Sequence, residues 1–257
     1  MYQLKSKNIL ITAGPTWVSI DKVRVISNIF KGTLGLLIAK EAVKRGGKVT
    51  LLLGPGREFF LKKNSKNLKV LPFKFFDELF RLMKKEISSH KYDIIIHSAA
   101  VADFAPTNYY KGKISSRQSK IVIHLKPTIK IVDQIKKWDP KIFLVKFKLE
   151  VDLNKKELIE RAYKSMLDSQ ADLMVANDLK DMKGEKQKTF IIDPEKNILV
   201  CQTKKEIAKK LLEVINKNLK MKANKKLISF LKPTYFCDCN CLSIKKLALK
   251  NYKTSFF

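Results

Sequence analysis

Three short stretches of this chain combine small residues with groups able to bind or activate a phosphoryl compound. The first is Thr12-Ala13-Gly14-Pro15-Thr16, followed by Arg24-Val25-Ile26-Ser27-Asn28 and then Gly32. Glycine lets backbone N–H groups come close to a phosphate, and a helix N-terminus behind it favours the anion. The plainer reading is a Gly-Pro turn with a capping Ser or Asn. The second is Ser98-Ala99-Ala100-Val101-Ala102-Asp103-Phe104, continued by Lys111-Gly112-Lys113-Ile114-Ser115-Ser116. Consecutive small residues leave room for a ligand, an Asp there can hold a ribose hydroxyl or a metal-bound water, and Lys113 supplies a point charge for a phosphoryl group. The plainer reading is an ordinary loop with a solvated lysine. The third is Ala176-Asn177-Asp178, otherwise a simple turn. His90, His97 and His124 lack metal-ligand spacing and read as surface or strand residues. Cys237, Cys239 and Cys241 could hold a soft metal only with a fourth ligand that is not evident nearby.

All three of these stretches follow apolar runs, which is what a strand feeding a ligand loop looks like. Asn8–Ala13, Val49–Leu53, Asp93–Ser98, Ile142–Phe147 and Asp172–Ala176 read as buried strands. Residues 33–45, stopped by Gly46-Gly47, have helical spacing; so do Asp77–Ser88 with Asp77 as cap, Ile129–Trp138, Lys155–Ser169, and Lys204–Asn216 with Thr203 as cap. Val70–Phe73 is a candidate short strand, Ile121–Leu125 alternates like an edge strand, and Thr189–Ile192 with Ile198–Gln202 reads as a hairpin. This alternation predicts an α/β fold: a mostly parallel Rossmann-like sheet with helices on both faces and an antiparallel hairpin excursion. Residues 1–219 read as one domain and 220–257 as a Lys- and Cys-containing extension. The length, 257 residues, suffices for a core without disulfide staples, and no apolar run is long enough to span a membrane. An N-terminus running straight into a strand, and few cysteines, predict a reducing cytoplasm.

The formal charge is +29, and the last 54 residues hold 14 Lys against three acids. Such a charge attracts polyanions. It is diffuse and carried by Lys, however, whereas base readout and bidentate phosphate clamps favour Arg. A dedicated nucleic-acid module is therefore the weaker expectation, and a phosphorylated small substrate accounts for the same sign. A nicotinamide-dependent oxidoreductase is disfavoured because no Gly-x-Gly-x-x-Gly turn follows the first strand and roughly twenty residues separate that strand from its helix.

The motifs in order resemble those of the phosphopantothenoylcysteine synthetases, also called phosphopantothenate–cysteine ligases, in the form lacking the fused decarboxylase. They are residues 11–16, Asp21-x-Val23-Arg24-x-Ile26-Ser27-Asn28, Gly32-x-x-Gly35, His97–Phe104, Gly112–Ser116, Phe147-Lys-Leu-Glu150, Ala171–Leu179 and Thr203–Ala208. Each is weak alone; eight in sequence are specific. The resemblance implies that the carboxylate of 4′-phosphopantothenate attacks a nucleoside triphosphate (CTP or ATP) with Mg²⁺, releasing pyrophosphate. L-cysteine then displaces the nucleotide and forms the amide. It implies Lys113 as the group stabilising the transferring phosphoryl. Asp103, Gly14, Ile129, Lys130, Ile131, Val132 and Phe147 become nucleotide contacts. Asn28 handles the acyl intermediate as an amide donor to the oxyanion, Arg24 holds a substrate phosphate or carboxylate, and Asn177 contacts substrate. It further implies a homodimer. The chain departs from the family pattern at Phe30-Lys31 before Gly32, at the shifted Pro127, and near Ser165, where a basic residue is usual and Lys164 stands beside it.

Overall fold

The computed structural model describes residues 4–56 and 64–231. The chain divides into two units, Met1–Val214 and Ile215–Phe257. The first holds a nine-stranded sheet. In chain order its elements are β1 (Asn8–Ala13), the small pair β2 (Trp17–Ser19) and β3 (Val25–Ser27), α1 (Thr33–Lys44), β4 (Lys48–Leu53), β5 (Asn64–Ser65), β6 (Leu68–Pro72) and α2 (Phe76–Ile87). Then come β7 (Ile94–His97), the pair β8 (Phe104–Pro106) and β9 (Leu125–Pro127), α3 (Val132–Trp138), β10 (Phe143–Glu150), α4 (Lys155–Asp168), β11 (Leu173–Lys183), β12 (Lys186–Ile192), β13 (Ile198–Thr203) and α5 (Lys204–Leu231), which crosses the division.

The strand order is β13-β12-β11-β10-β7-β1-β4-β6-β5. The six central strands, β11 to β6, run parallel; β12, β13 and β5 join antiparallel at the edges. Parallel strands are covered on both faces, so they need apolar side chains in both pleat directions. Leu10, Leu52, Ile95, Leu144 and Met174 point to one face, where they cluster with Leu79, Met83, Ile135, Leu158 and Met166 of α2, α3 and α4. Their chain neighbours Ile9, Ile11, Leu51 and Leu53 are equally buried and point the other way. On that face α1 packs against β1 and β4. Arg45, at the C-cap of α1, bonds Glu213 at 3.2 Å and Glu41 at 2.7 Å, which sets the part of α5 within the first unit beside α1.

Several expectations change in detail. Asp77 lies inside α2; the start of that helix is closed instead by Glu78, whose carboxylate accepts the N–H groups of Lys74 (2.7 Å) and Phe75 (3.1 Å). Residues 121–124 form no strand, because only Leu125–Pro127 find a partner, in β8. The third helix starts at Val132 rather than Ile129, and β11 continues to Lys183 because β12 folds back along it past an irregularity between Asn177 and Met182. The cysteine cluster Cys237, Cys239 and Cys241 lies outside the described residues.

Candidate functional site

Strand order reverses between β1 and β7, since β4 and β6 extend the sheet on one side and β7, β10 and β11 on the other. Loops leaving two such strands diverge, and the crevice between them is where open α/β sheets place ligands. Here the two loops are sewn together. Ala100 N donates to Gly14 O (3.0 Å) and Thr16 N to Ala100 O (3.2 Å). The Thr16 hydroxyl accepts the Ala102 N–H at 2.9 Å, and Ser98 Oγ donates to Thr12 O at 2.6 Å. Asn28, just past β3, donates its Nδ2 to Ala100 O (3.0 Å) and Val101 O (3.4 Å). The two carbonyls fix the carboxamide's orientation, because turning it would set oxygen against oxygen. Its Oδ1 is left as the open acceptor.

The β2–β3 hairpin fills the connection from β1 to α1, which explains the missing dinucleotide turn. Its tip grips the segment carrying Lys113. Asp21 is buried, and its Oδ1 accepts the N–H groups of Val23 (2.8 Å) and Arg24 (2.7 Å). Its Oδ2 accepts Ile114 N (3.0 Å) and Arg24 Nη1 (2.5 Å). The Ile114 amide foremost, with the other donors, outweighs burial and holds this carboxyl well below the usual range. Arg24 Nη1 also donates to Ile114 O at 3.2 Å, Lys22 N to Gly112 O at 3.2 Å, and Tyr110 N to Ile20 O at 3.2 Å. The backbone on both sides of Lys113 is thus anchored, while the Lys113 side chain is exposed and makes no ion pair among the described residues. Asn28 and Arg24 flank the three residues of β3, so they stand about 13 Å apart along the strand.

The remaining sequence-derived residues divide. Asp103 and Lys130 form an ion pair with each other, both largely exposed. Thr128 ties them to the crevice, its N–H on Asp103 O (2.9 Å) and its hydroxyl on Ala102 O (2.7 Å). Ile129 is exposed, but Ile131 is 2% exposed and Val132 packs against the core, so only Ile129 and Lys130 of that stretch face outward. Phe147, half-buried on β10, lies one step beyond the Lys146↔His97 register pair, alongside Ser98. Asn177 is buried, and its Nδ2 points to Met182 Sδ at 3.2 Å. Gly14 is buried with φ 88° against Gly54. A Cβ on Gly32 (φ 71°) would lie 2.5 Å from Gly14 N, so these glycines serve the close approach of α1 to β1. No group of three His, Cys, Asp or Glu among the described residues is placed to hold a metal. No described helix is long and apolar enough to cross a membrane.

Comparison with known proteins decides the family. The model of the DNA/pantothenate metabolism flavoprotein C-terminal domain matches residues 4–219. The chain belongs to this family. It is 36% identical over 217 residues to the coenzyme A biosynthesis bifunctional protein CoaBC of Thermococcus kodakarensis, covering 84% of this chain and 52% of that protein. It is 32% identical over 221 residues to the protein of the same name from Methanocaldococcus jannaschii, covering 84% and 52%. The chain thus spans about half the length of these curated relatives. The crystal structure of the DNA/pantothenate metabolism flavoprotein from Streptococcus pneumoniae superimposes with a TM-score of 0.75 at 31% identity, covering 83% of this chain and 100% of that one.

Two features of this flavoprotein C-terminal domain escape a reading by motif. Asp21 is visible only as part of a pattern, and its task, four hydrogen bonds at once, needs the fold; the Asp-x-x-Arg spacing is the one signal. Lys146 sits inside an apolar strand. Its half-buried ammonium donates to Ser165 O (2.8 Å) and Ser169 Oγ (3.2 Å), and burial first of all lowers its pKa. The cation near Ser165 therefore comes from the sheet, while Lys164 is exposed. Across the register His97 is buried. Burial, then the Lys146 charge, push its pKa down to about 4. The imidazole is neutral at pH 7 and Nδ1 lies 3.0 Å from the Thr12 hydroxyl, which also accepts the Ala99 N–H at 3.0 Å.

Proposed function

We propose that this chain joins 4′-phosphopantothenate to L-cysteine through an acyl-nucleotidylate, as a phosphopantothenate–cysteine ligase of coenzyme A biosynthesis. The observation that carries the proposal is the hairpin that puts Asn28 against Ala100 and Val101 at one end and anchors the backbone beside Lys113 at the other. A carboxylate is a poor acyl donor until its oxygen becomes a leaving group. Attack on the α-phosphorus of the triphosphate does this and expels pyrophosphate. Lys113 supplies positive charge where the transferring phosphoryl gains negative charge. Its ammonium, with no ion-pair partner among the described residues, and its pinned backbone suit that role. Asp103, Ile129, Lys130 and Phe147 border the nucleotide, and Lys130 leaves Asp103 when a ribose competes for the carboxylate.

The second step puts Asn28 to a different use from the one its residue type suggests. Its Nδ2 already faces two backbone carbonyls, at 3.0 and 3.4 Å, and so is turned toward the loop rather than offered to an oxyanion. Its open Oδ1 accepts a hydrogen bond from the cysteine amine and aims the nitrogen at the acyl carbon. The nucleoside monophosphate then leaves with the former carboxylate oxygen. Arg24, whose Nη1 is taken by Asp21 and Ile114, positions the Lys113 segment and keeps its remaining nitrogens for a substrate anion. Asn177 and Gly14 shape the floor from buried positions. Since no described carboxylate cluster is placed to hold a metal, Mg²⁺ would be held by the triphosphate itself and would supply neutralisation of the phosphoryl charge.

Residues 1–219 form the ligase domain in this proposal and 220–257 an extension. The enzyme works in the cytoplasm as a homodimer, a reading supported by exposed Phe104, Tyr109, Val122 and Ile129 on one excursion of the chain. The test is pyrophosphate release with 4′-phosphopantothenate and CTP or ATP, each with and without cysteine, together with sedimentation. Pyrophosphate that appears only with 4′-phosphopantothenate, and amide only with cysteine, supports the reading. No release with either triphosphate overturns it.

A further inference from the structure

At the other edge of the sheet, among the amino ends of the parallel strands, lies a cavity of about 370 Å³. Asn8 opens β1, Lys48 opens β4, Leu68 opens β6 and Tyr92 precedes β7, and all four line it. The six residues of β1 separate it from the carboxyl-edge crevice by about 20 Å. Four of its ten lining residues are lysines: Lys48, Lys66, Lys69 and Lys91. Lys91 is already compensated, bonding Glu86 at 2.7 Å with its ammonium 5.1 Å from the Tyr92 ring centre. Glu86 also accepts the Tyr92 hydroxyl at 2.5 Å, and the Lys69 charge reaches it from a longer distance. Lys48, Lys66 and Lys69 have no ion-pair partner within 4 Å among the described residues, and the side-chain amides of Asn8 and Asn67 have no hydrogen-bond partner there.

We propose that this cavity is a second anion site, taking a small phosphorylated compound whose phosphoryl oxygens sit among Lys48, Lys66 and Lys69. Three like charges around one concavity repel until an anion joins them, and charge-assisted bonds to phosphoryl oxygens are the strong ones. The volume lies in the range of small-molecule sites, about 300 to 1,000 Å³. A nucleic-acid backbone would need a cationic ridge rather than a cavity of this size. The inference does not depend on the ligase reading, since it uses none of the crevice residues.

The experiment titrates the whole chain with inorganic pyrophosphate by calorimetry at 0.15 M salt. Four proteins are compared: wild type, Lys113→Gln, Lys48→Gln/Lys69→Gln, and Lys156→Gln/Lys164→Gln, which removes two exposed lysines of α4. The Lys113 variant is expected to keep one pyrophosphate per chain. The Lys48/Lys69 variant is expected to bind that equivalent at least about tenfold more weakly, with an unchanged melting temperature. The α4 variant should bind as wild type. The proposal is overturned if Lys113→Gln alone removes all binding, if Lys48→Gln/Lys69→Gln binds like wild type, or if the α4 variant loses as much. The last outcome would mean diffuse attraction to a basic surface.

Discussion

The crevice has two unlike halves. One is the seam between residues 12–28 and 98–102, where carbonyls and N–H groups are paired across the loops and Thr12, Thr16 and Asn28 each hold the opposite strand's extension. The other is the excursion 104–130, which has three paired residues on each side of β8–β9, little other regular structure and large apolar side chains in solvent. The seam holds atoms in place, and the excursion carries charges that can move onto a ligand. Lys113 belongs to the excursion but is gripped at its backbone by the seam's hairpin, so it combines a fixed root with a free tip. Replacing it separates the two properties most sharply. Lys113→Gln should lower the rate of pyrophosphate release by about 10³-fold, the order found when one electrostatic contact to a transition state is deleted. The melting temperature should not move, because the ammonium holds nothing in the fold. A large loss of stability would show that the tip is structural and would dissolve the distinction.

The seam should also dominate the response to acid. His97 is neutral in the fold with a pKa of about 4 against 6.5 for the free group, so between these values the unfolded chain binds the proton and the folded chain does not. Its contribution is complete above pH 6.5 and is lost as pH falls from 6.5 toward 4. The shift corresponds to roughly 3 kcal/mol in all, of which about 2 kcal/mol is lost by pH 5. Urea denaturation at pH 7 and pH 5 measures this. His97→Gln keeps an acceptor for Thr12 and should flatten the dependence over that interval. An unchanged slope would assign the acid sensitivity elsewhere.

How much of this could be read in advance follows the same division. Strands β1, β4, β7 and β10 announce themselves as apolar runs because both faces are covered, and the loops after β1 and β7 were visible as small residues following those runs. Pairs β2–β3 and β8–β9 are not, since three-residue strands with only Val18 buried among them carry no periodicity. The alternation in Ile121–Leu125 misled for a related reason: a strand needs a partner, and only its last residue has one. Residue types single out Lys113 and Asp103 as candidates. They could not show that Asn28 has its N–H groups occupied, that Ile131 points into the core, or that Asp103 and Lys130 neutralise each other, because each depends on which loop lies opposite.

Asp21 is the link between the halves, and its replacement should have an intermediate effect. Asp21→Asn puts an N–H₂ where Oδ1 or Oδ2 accepts two donors, so two of the four bonds fail. The excursion's root then loosens while Lys113 remains. Activity should fall by about 10- to 100-fold, the scale of a misplaced catalytic group, and trypsin should cut at Lys111 and Lys113 faster than in wild type. Equal cutting with reduced activity would mean that Asp21 acts on the substrate rather than on the segment.

The smallest effect belongs to the Asp103–Lys130 pair. Both partners are more than half exposed, and such pairs contribute about 0–1 kcal/mol and weaken with salt. Asp103→Asn should therefore leave the melting temperature within about 4 °C of wild type. In the proposed function, what it removes is a carboxylate that would exchange Lys130 for a ribose hydroxyl. The KM for the triphosphate should rise a few-fold, as for one lost contact made equally in ground and transition states, with kcat unchanged. Raising the salt from 0.05 to 0.5 M should shrink the difference in stability between the two proteins, because screening weakens the pair that only the wild type has. If kcat falls instead, Asp103 touches the reacting phosphoryl, and the excursion takes part in the chemistry through more than its lysine.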